Sequence, residues 1–197
     1  GAFVINDQCE DLLRKIRDGE EVLPADLPDD PKDIKIFKHY TKAKMSVYME
    51  KIKMLKGAEE AKEEFDASTC ETVNLAVLQR HIQMKIGFIA KKEPDANKEP
   101  NDLAPVGTGA KSKGVRGRVP TGKPRKYDRL GFKKTEMWNG QFFQDNRELV
   151  LEILEEAKEQ SVVPTENYVR ERVKSRLLSQ EIEEDKQLME FKEEIEK

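Results

Sequence analysis

Residues 95–124 constrain this chain more than any other stretch. They are thirty residues dominated by Pro, Gly, Lys, Asn and Ser, with too little apolar content to offset the entropy of ordering a backbone. A segment of that length without periodicity is a functional loop or a linker. As flexible chain it holds its ends roughly 30 Å apart. The predicted organisation is a helical module with an acidic arm at 1–94, a flexible basic linker at 95–124, and a second helical module at 125–197 that moves separately from the first.

On both sides of that segment apolar residues recur at spacings of three and four, so the fold class predicted is all-α. Asn6 reads as the cap of a first helix over 7–18, with Cys9, Leu12, Leu13 and Ile16 on one face and Gly19 at its end. Pro24 and Pro28 then forbid a regular helix. Residues 1–35 hold ten acids against five bases, an arm that avoids DNA or folds back onto the basic stretch that begins at Lys111. Asp30 before Pro31 is an N-cap followed by proline at the first helical position. It opens a long helix carrying Ile34, Phe37, Tyr40, Tyr48, Ile52 and Leu55, kinked or ended near Gly57. Ser68 or Thr69 is expected to cap the next helix, whose stripe is Leu75, Leu78, Ile82, Ile86 and Ile89. Those two stripes predict an antiparallel helical hairpin.

After the linker, Arg129-Leu130-Gly131-Phe132-Lys133-Lys134 reads as the turn of a helix-turn-helix. Gly131 supplies positive φ, and Leu130 and Phe132 seal the angle. The second helix is predicted from about Lys133 to Phe143, with Met137 or Trp138 and then Phe142 packing inward. Lys133, Lys134, Thr135 and Asn139 are left to face a groove. Gly140 weakens that helix by about 1 kcal/mol relative to Ala. Asp145 or Asn146 then caps a helix with Leu149, Ile153 and Leu154 inward, and Thr165 caps the last one. That helix is expected to self-associate through Val169, Val173, Leu177 and Ile182, as two-fold DNA readers do. Its end, residues 180–197, holds eight acids and three lysines, a solvated or partner-seeking helix with a loose coiled-coil register.

Charge supplies the functional signal. The chain is net −3, yet between Lys111 and Lys134 there are ten Lys or Arg and one acid, Asp128. A local excess of that size against an acidic background points to a polyanion. The bland alternative is a linker kept soluble by charge. Lys111, Lys113, Arg116, Arg118, Lys123, Arg125 and Lys126 are expected to neutralise phosphates, with the linker in a minor groove. Arg129 belongs to the same cluster.

Other classes of function find little support in the residues. Only 37% of the chain is hydrophobic and 38% is charged, and no apolar run approaches the ~18 residues of a membrane span. The start of the chain turns acidic too soon for a signal peptide, which leads to the expectation of a cytoplasmic protein. Cys9 and Cys70 are expected as buried thiols in a reduced compartment, with a disulfide left open. His39 and His81 lack partners at ligand spacing and read as surface or boundary residues. No catalytic set, metal cluster or cofactor loop is visible, so an enzyme, a metal and a cofactor are not expected.

Two stretches taken together, DIKIFKHYTKAKMSVYMEKIKM and ETVNLAVLQRHIQMKIGFIAKKEP, resemble a group of small helical proteins of bacteriophages, prophages and mobile elements. In that group a basic helical hairpin ends near a glycine, here Gly87. A Gly/Lys-rich linker, a leucine-glycine-apolar turn (Leu130, Gly131, Phe132), a second helix and an acidic-aliphatic helix follow. The turn and helix are similar to the DNA-binding element of ParB-like partition proteins. The similarity spans residues 31–175. The chain departs from the group at Gly140, where a large apolar residue is usual. The resemblance implies binding of double-stranded DNA and names no process. A rival reading is a protein-interaction factor, binding or inhibiting a phage or host protein, in which the basic linker is only a tether.

Overall fold

A computed structural model describes residues 2–94 and 125–197. The fold is all-α, with no strand among the described residues. Its helices are α1 (Ala2–Arg17), α2 (Pro31–Leu55), α3 (Lys62–Lys92), α4 (Lys126–Leu130), α5 (Lys134–Asp145), α6 (Arg147–Glu159) and α7 (Glu166–Glu196). None of them is long and apolar enough to cross a membrane.

Several boundaries follow from caps. The Asp30 carboxylate accepts from the Lys32 amide at 2.8 Å, and Pro31 occupies the first position of α2. The Thr165 hydroxyl accepts from the Tyr168 amide at 3.2 Å and opens α7. Two expected caps are displaced. Asn6 lies inside α1, where its side-chain oxygen accepts from the Tyr40 hydroxyl. Ser68 and Thr69 lie inside α3, and Thr69 donates to the Phe65 carbonyl at 2.9 Å. A helical Ser or Thr that bonds back to the preceding turn has no need to be a cap.

The main departure from the sequence reading is α3. From Thr72 to Ala90 it is buried on nearly every side; only Gln79 and Phe88 are partly open. A helix buried all round is a core element. It packs against α1, α2, α5 and α6. One hydrophobic cluster joins Leu12, Leu13 and Phe37 from before residue 95 to Phe143, Ile153, Leu154 and Val173 from after residue 124. Residues from both expected modules therefore enter one hydrophobic cluster.

The tightest contact in the core is between α3 and α5. A Cβ on Gly87 would fall on the Gly140 carbonyl and 2.6 Å from the Gln141 nitrogen. A Cβ on Gly140 would lie 2.5 Å from the Gln83 carbonyl oxygen. Gly140 is thus where two helix backbones touch, and the expectation that it merely weakens α5 is corrected. The glycine also changes which residues turn inward: Met137 and Phe143 are buried, while Trp138 is 57% exposed and Phe142 is half-buried.

Three cations tie the acidic arm to this core, Lys85 buried and Arg147 and Lys158 partly buried. Lys85, 1% exposed, donates to the Pro24 carbonyl at 2.7 Å and to Asp29 at 2.6 Å. That bond holds the Asp29 carboxyl below the usual carboxylate range. Arg147 donates to the Val22 carbonyl at 2.8 Å, and Lys158 to the Ile16 carbonyl at 2.6 Å, which also accepts from the Gly19 amide at 3.2 Å. The arm folds back, as one of its two expected fates, but onto α3 and α6.

The cysteines are both free, and no pair forms. Cys9 is buried, and burial pushes its thiol up to about 12, so it is inert near neutral pH. Cys70 is exposed, against expectation. His81 is also misplaced by the sequence reading: it sits inside the core, 5% exposed.

Candidate nucleic-acid interface

The turn at Gly131 has the expected geometry. Gly131 adopts φ 75°, the Phe132 amide donates to the Tyr127 carbonyl at 3.0 Å, and Leu130 and Phe132 are buried. The helix before it, α4, is a single turn of five residues. The backbone leaves the turn extended at Lys133 and enters α5 at Lys134. Lys133, Lys134 and Thr135 are all exposed there. Lys134 Nζ lies 4.6 Å from the centre of the Trp138 ring, a cation over an indole face.

This corner lies against α2. Lys35 Nζ is the nearest neighbour of the space beside Gly131, at 3.7 Å from an added Cβ, and Lys38 pairs with Glu136. One turn further along α2, Lys42 borders a cavity with Arg80, Gln83 and Glu166. Lys35 and Lys38 of α2 thus lie along residues 131–136, and Lys42 lies beyond them at the cavity. Sequence reasoning missed Lys35 and Lys42 because α2 was read for its apolar face alone.

The remaining predicted contacts divide. Asn139 is not free: its amide nitrogen donates to Glu166 at 2.6 Å, and Glu166 also pairs with Arg170. The side chain expected to face a groove is thus bonded to a neighbouring helix. Arg129 donates to the Pro94 carbonyl, and Arg125 lies over the Tyr127 ring at 5.7 Å while donating to its hydroxyl. Both remain exposed, and Lys126 is half-buried. Lys111, Lys113, Arg116, Arg118 and Lys123 lie outside the described residues.

The cavity beside Lys42 has a volume of about 350 Å³, between α2, α3 and the start of α7. Arg80 reaches it from the core helix and is 8% exposed. Burial lowers its pKa to about 10, with Glu166 opposing the shift and Arg170 adding to it. The Nε of Arg80 and the side-chain oxygen of Gln83 are buried without a hydrogen-bond partner among the described residues. A sequence signal for this site existed. Val73, Val77 and Met84 lie on the helix side away from Leu75, Leu78 and Ile82, so α3 is apolar on two sides, and Arg80 between them must be buried. Among the described residues no group of three or more His, Cys, Asp or Glu is placed to hold a metal.

No protein-family profile, curated protein or solved structure matches the chain.

Proposed function

We propose that this chain is a non-enzymatic DNA-binding protein that holds the duplex chiefly by its phosphates. The observation that carries the reading is the approach of Lys35 from α2 to the Gly131 corner, from which Lys133 and Lys134 stand exposed at the start of α5. The ten bases between Lys111 and Lys134 extend the same charge along the sequence. Phosphate contacts set register and affinity without reading bases, which suits a corner where Asn139 is already engaged. Thr135 and the two lysines beside it remain for contact with a groove. A setting in a phage or mobile element rests on the resemblance in the order of elements.

Salt dependence tests this. Each phosphate contact contributes about −0.9 to the log–log slope of affinity against salt. Replacing Lys35, Lys133 and Lys134 together by Ala flattens that slope by roughly 3, measured by fluorescence anisotropy on random duplex. Affinity falls alike on all sequences. An unchanged slope and affinity would remove this surface from the reading.

A second reading, a protein-interaction factor, is favoured by the far end of α7. Leu178, Ile182, Leu188, Met189, Phe191 and Ile195 are exposed, and every residue from 178 to 197 is open to solvent. Val169 and Val173 are fully buried in the chain's own core, so they cannot mediate self-association as expected. The exposed residues beyond them take that role in this reading, toward a second copy or another protein. A chain ending at Leu177 keeps the thermal stability of the full chain, because the removed residues bury nothing. If the full chain sediments as a dimer, the shortened one sediments as a monomer. A dimer in both places the contact elsewhere.

A further inference from the structure

We propose that the cavity between α2, α3 and the start of α7 is a phosphate site, built to take a phosphomonoester with Arg80 as its principal ligand. A guanidinium nine-tenths buried without a carboxylate of its own is costly, since burial removes hydration that only an anion or a set of acceptors replaces. Arg80 forms no ion pair with any described residue, and its Nε–H lacks an acceptor. The carboxylate lining the cavity, Glu166, is shared between Arg170 and the Asn139 amide. Lys38 and Lys42 line the cavity wall, and Lys38 is occupied by Glu136. Arg80 and Lys42 are therefore the cations left over, and two positive charges match a phosphate dianion better than a single carboxylate.

The rest of the wall selects for more than inorganic phosphate. The unpartnered Gln83 oxygen requires a donor from the ligand. Met45 and Met49 provide an adaptable apolar flank. At about 350 Å³ the space exceeds what one phosphate fills and lies within the range of small-molecule pockets. A phosphate carrying a hydroxyl- or amine-bearing group meets all three features, as a nucleoside monophosphate does. The 5′-phosphate at a strand end presents the same chemistry. The site does not depend on the duplex-binding reading, because neither Lys133 nor Lys134 lines the cavity.

Calorimetric titration of the full chain with inorganic phosphate, adenosine monophosphate, and a short oligonucleotide with and without a 5′-phosphate tests the site. Binding of the monophosphate at least 10-fold tighter than of inorganic phosphate is expected. A preference of the oligonucleotide for its phosphorylated form identifies the strand end as the source; binding of the free nucleotide alone identifies a small molecule. Arg80→Met abolishes binding, and in the absence of ligand it leaves the melting temperature unchanged or raises it, as replacement of an uncompensated buried charge does. A merely structural arginine would lower it instead. Lys42→Glu, a change at an exposed position, weakens binding at least 10-fold without touching the core and serves if the Arg80 variant does not fold. Failure of all four probes to bind overturns the proposal, as does binding that neither variant changes.

Discussion

Alanine at Gly87 is expected to destabilise the chain by about 3 kcal/mol or more, a large share of the stability of an ordinary domain. The added methyl would meet the Gly140 carbonyl group and the Gln141 nitrogen, which belong to backbone. Backbone cannot swing aside as a long side chain does, so α3 and α5 must separate and lose contacts along their length. Gly140→Ala gives the sharper test. Helix propensity alone makes that substitution stabilising by about 1 kcal/mol. Contact geometry makes it destabilising, because the new atom would stand 2.5 Å from the Gln83 oxygen and 2.8 Å from the Gly87 nitrogen. The two accounts differ in sign, and the closer contact wins. Combining the two alanines costs less than the sum of the single changes, since the first already parts the helices. Gly57→Ala is the comparison: its φ of 84° imposes strain but nothing lies within 4 Å, so its cost stays near 1–2 kcal/mol. Urea unfolding followed by far-ultraviolet circular dichroism measures all four. A Gly87→Ala chain within 1 kcal/mol of the parent would mean that the two backbones do not touch.

Gly140 also shows where sequence reading succeeds and where it stops. Features that depend on a few adjacent residues are legible. The Asp30–Pro31 start of α2, the Thr165 start of α7 and the positive φ of Gly131 all follow from local chemistry, and the structure has them. Features set by what lies across the core are not. Gly140 reads as a poor helix residue until Gly87 is placed against it. Val169 and Val173 read as an interface until the core is found to use them. Asn139 reads as free until Glu166, from another helix, reaches it. The candidate site divides along the same line. Lys133 and Lys134 were visible because they adjoin the turn, whereas Lys35, Lys42 and Arg80 become site residues only when α2 and α3 are packed beside α5. A thirty-residue basic segment suggests two modules, yet residues on both sides of it enter one hydrophobic cluster; the length of a connection says nothing about whether the elements it joins pack together.

Acid should unfold this chain through His81 well before its carboxylates are exhausted. The imidazole is buried on α3, and burial lowers its pKa from 6.5 to about 3, with Arg147 and Lys158 on α6 adding to the shift and Asp26 opposing it. In the unfolded chain the same side chain takes up a proton near pH 6.5, which the folded chain refuses. The unfolded state therefore binds more protons between pH 6.5 and 3, and stability falls as pH falls through that window. The loss from this one group approaches about 1.4 kcal/mol per pH unit, so roughly 3 kcal/mol by pH 4. Against a total of about 5–15 kcal/mol, that is enough to bring a marginal domain near its midpoint. His81→Gln removes the titration and keeps a polar side chain in place. Its absolute stability is expected to be lower at pH 7, but its stability-against-pH curve between 6.5 and 4 should be flatter by about one proton, and the slope is the quantity to compare. The His81 imidazole resonance should likewise stay at its neutral position down to pH 4 in the folded protein. A resonance that titrates near pH 6.5, or equal slopes in the two chains, would show that the histidine reaches water and that the wall of α6 around it is not closed.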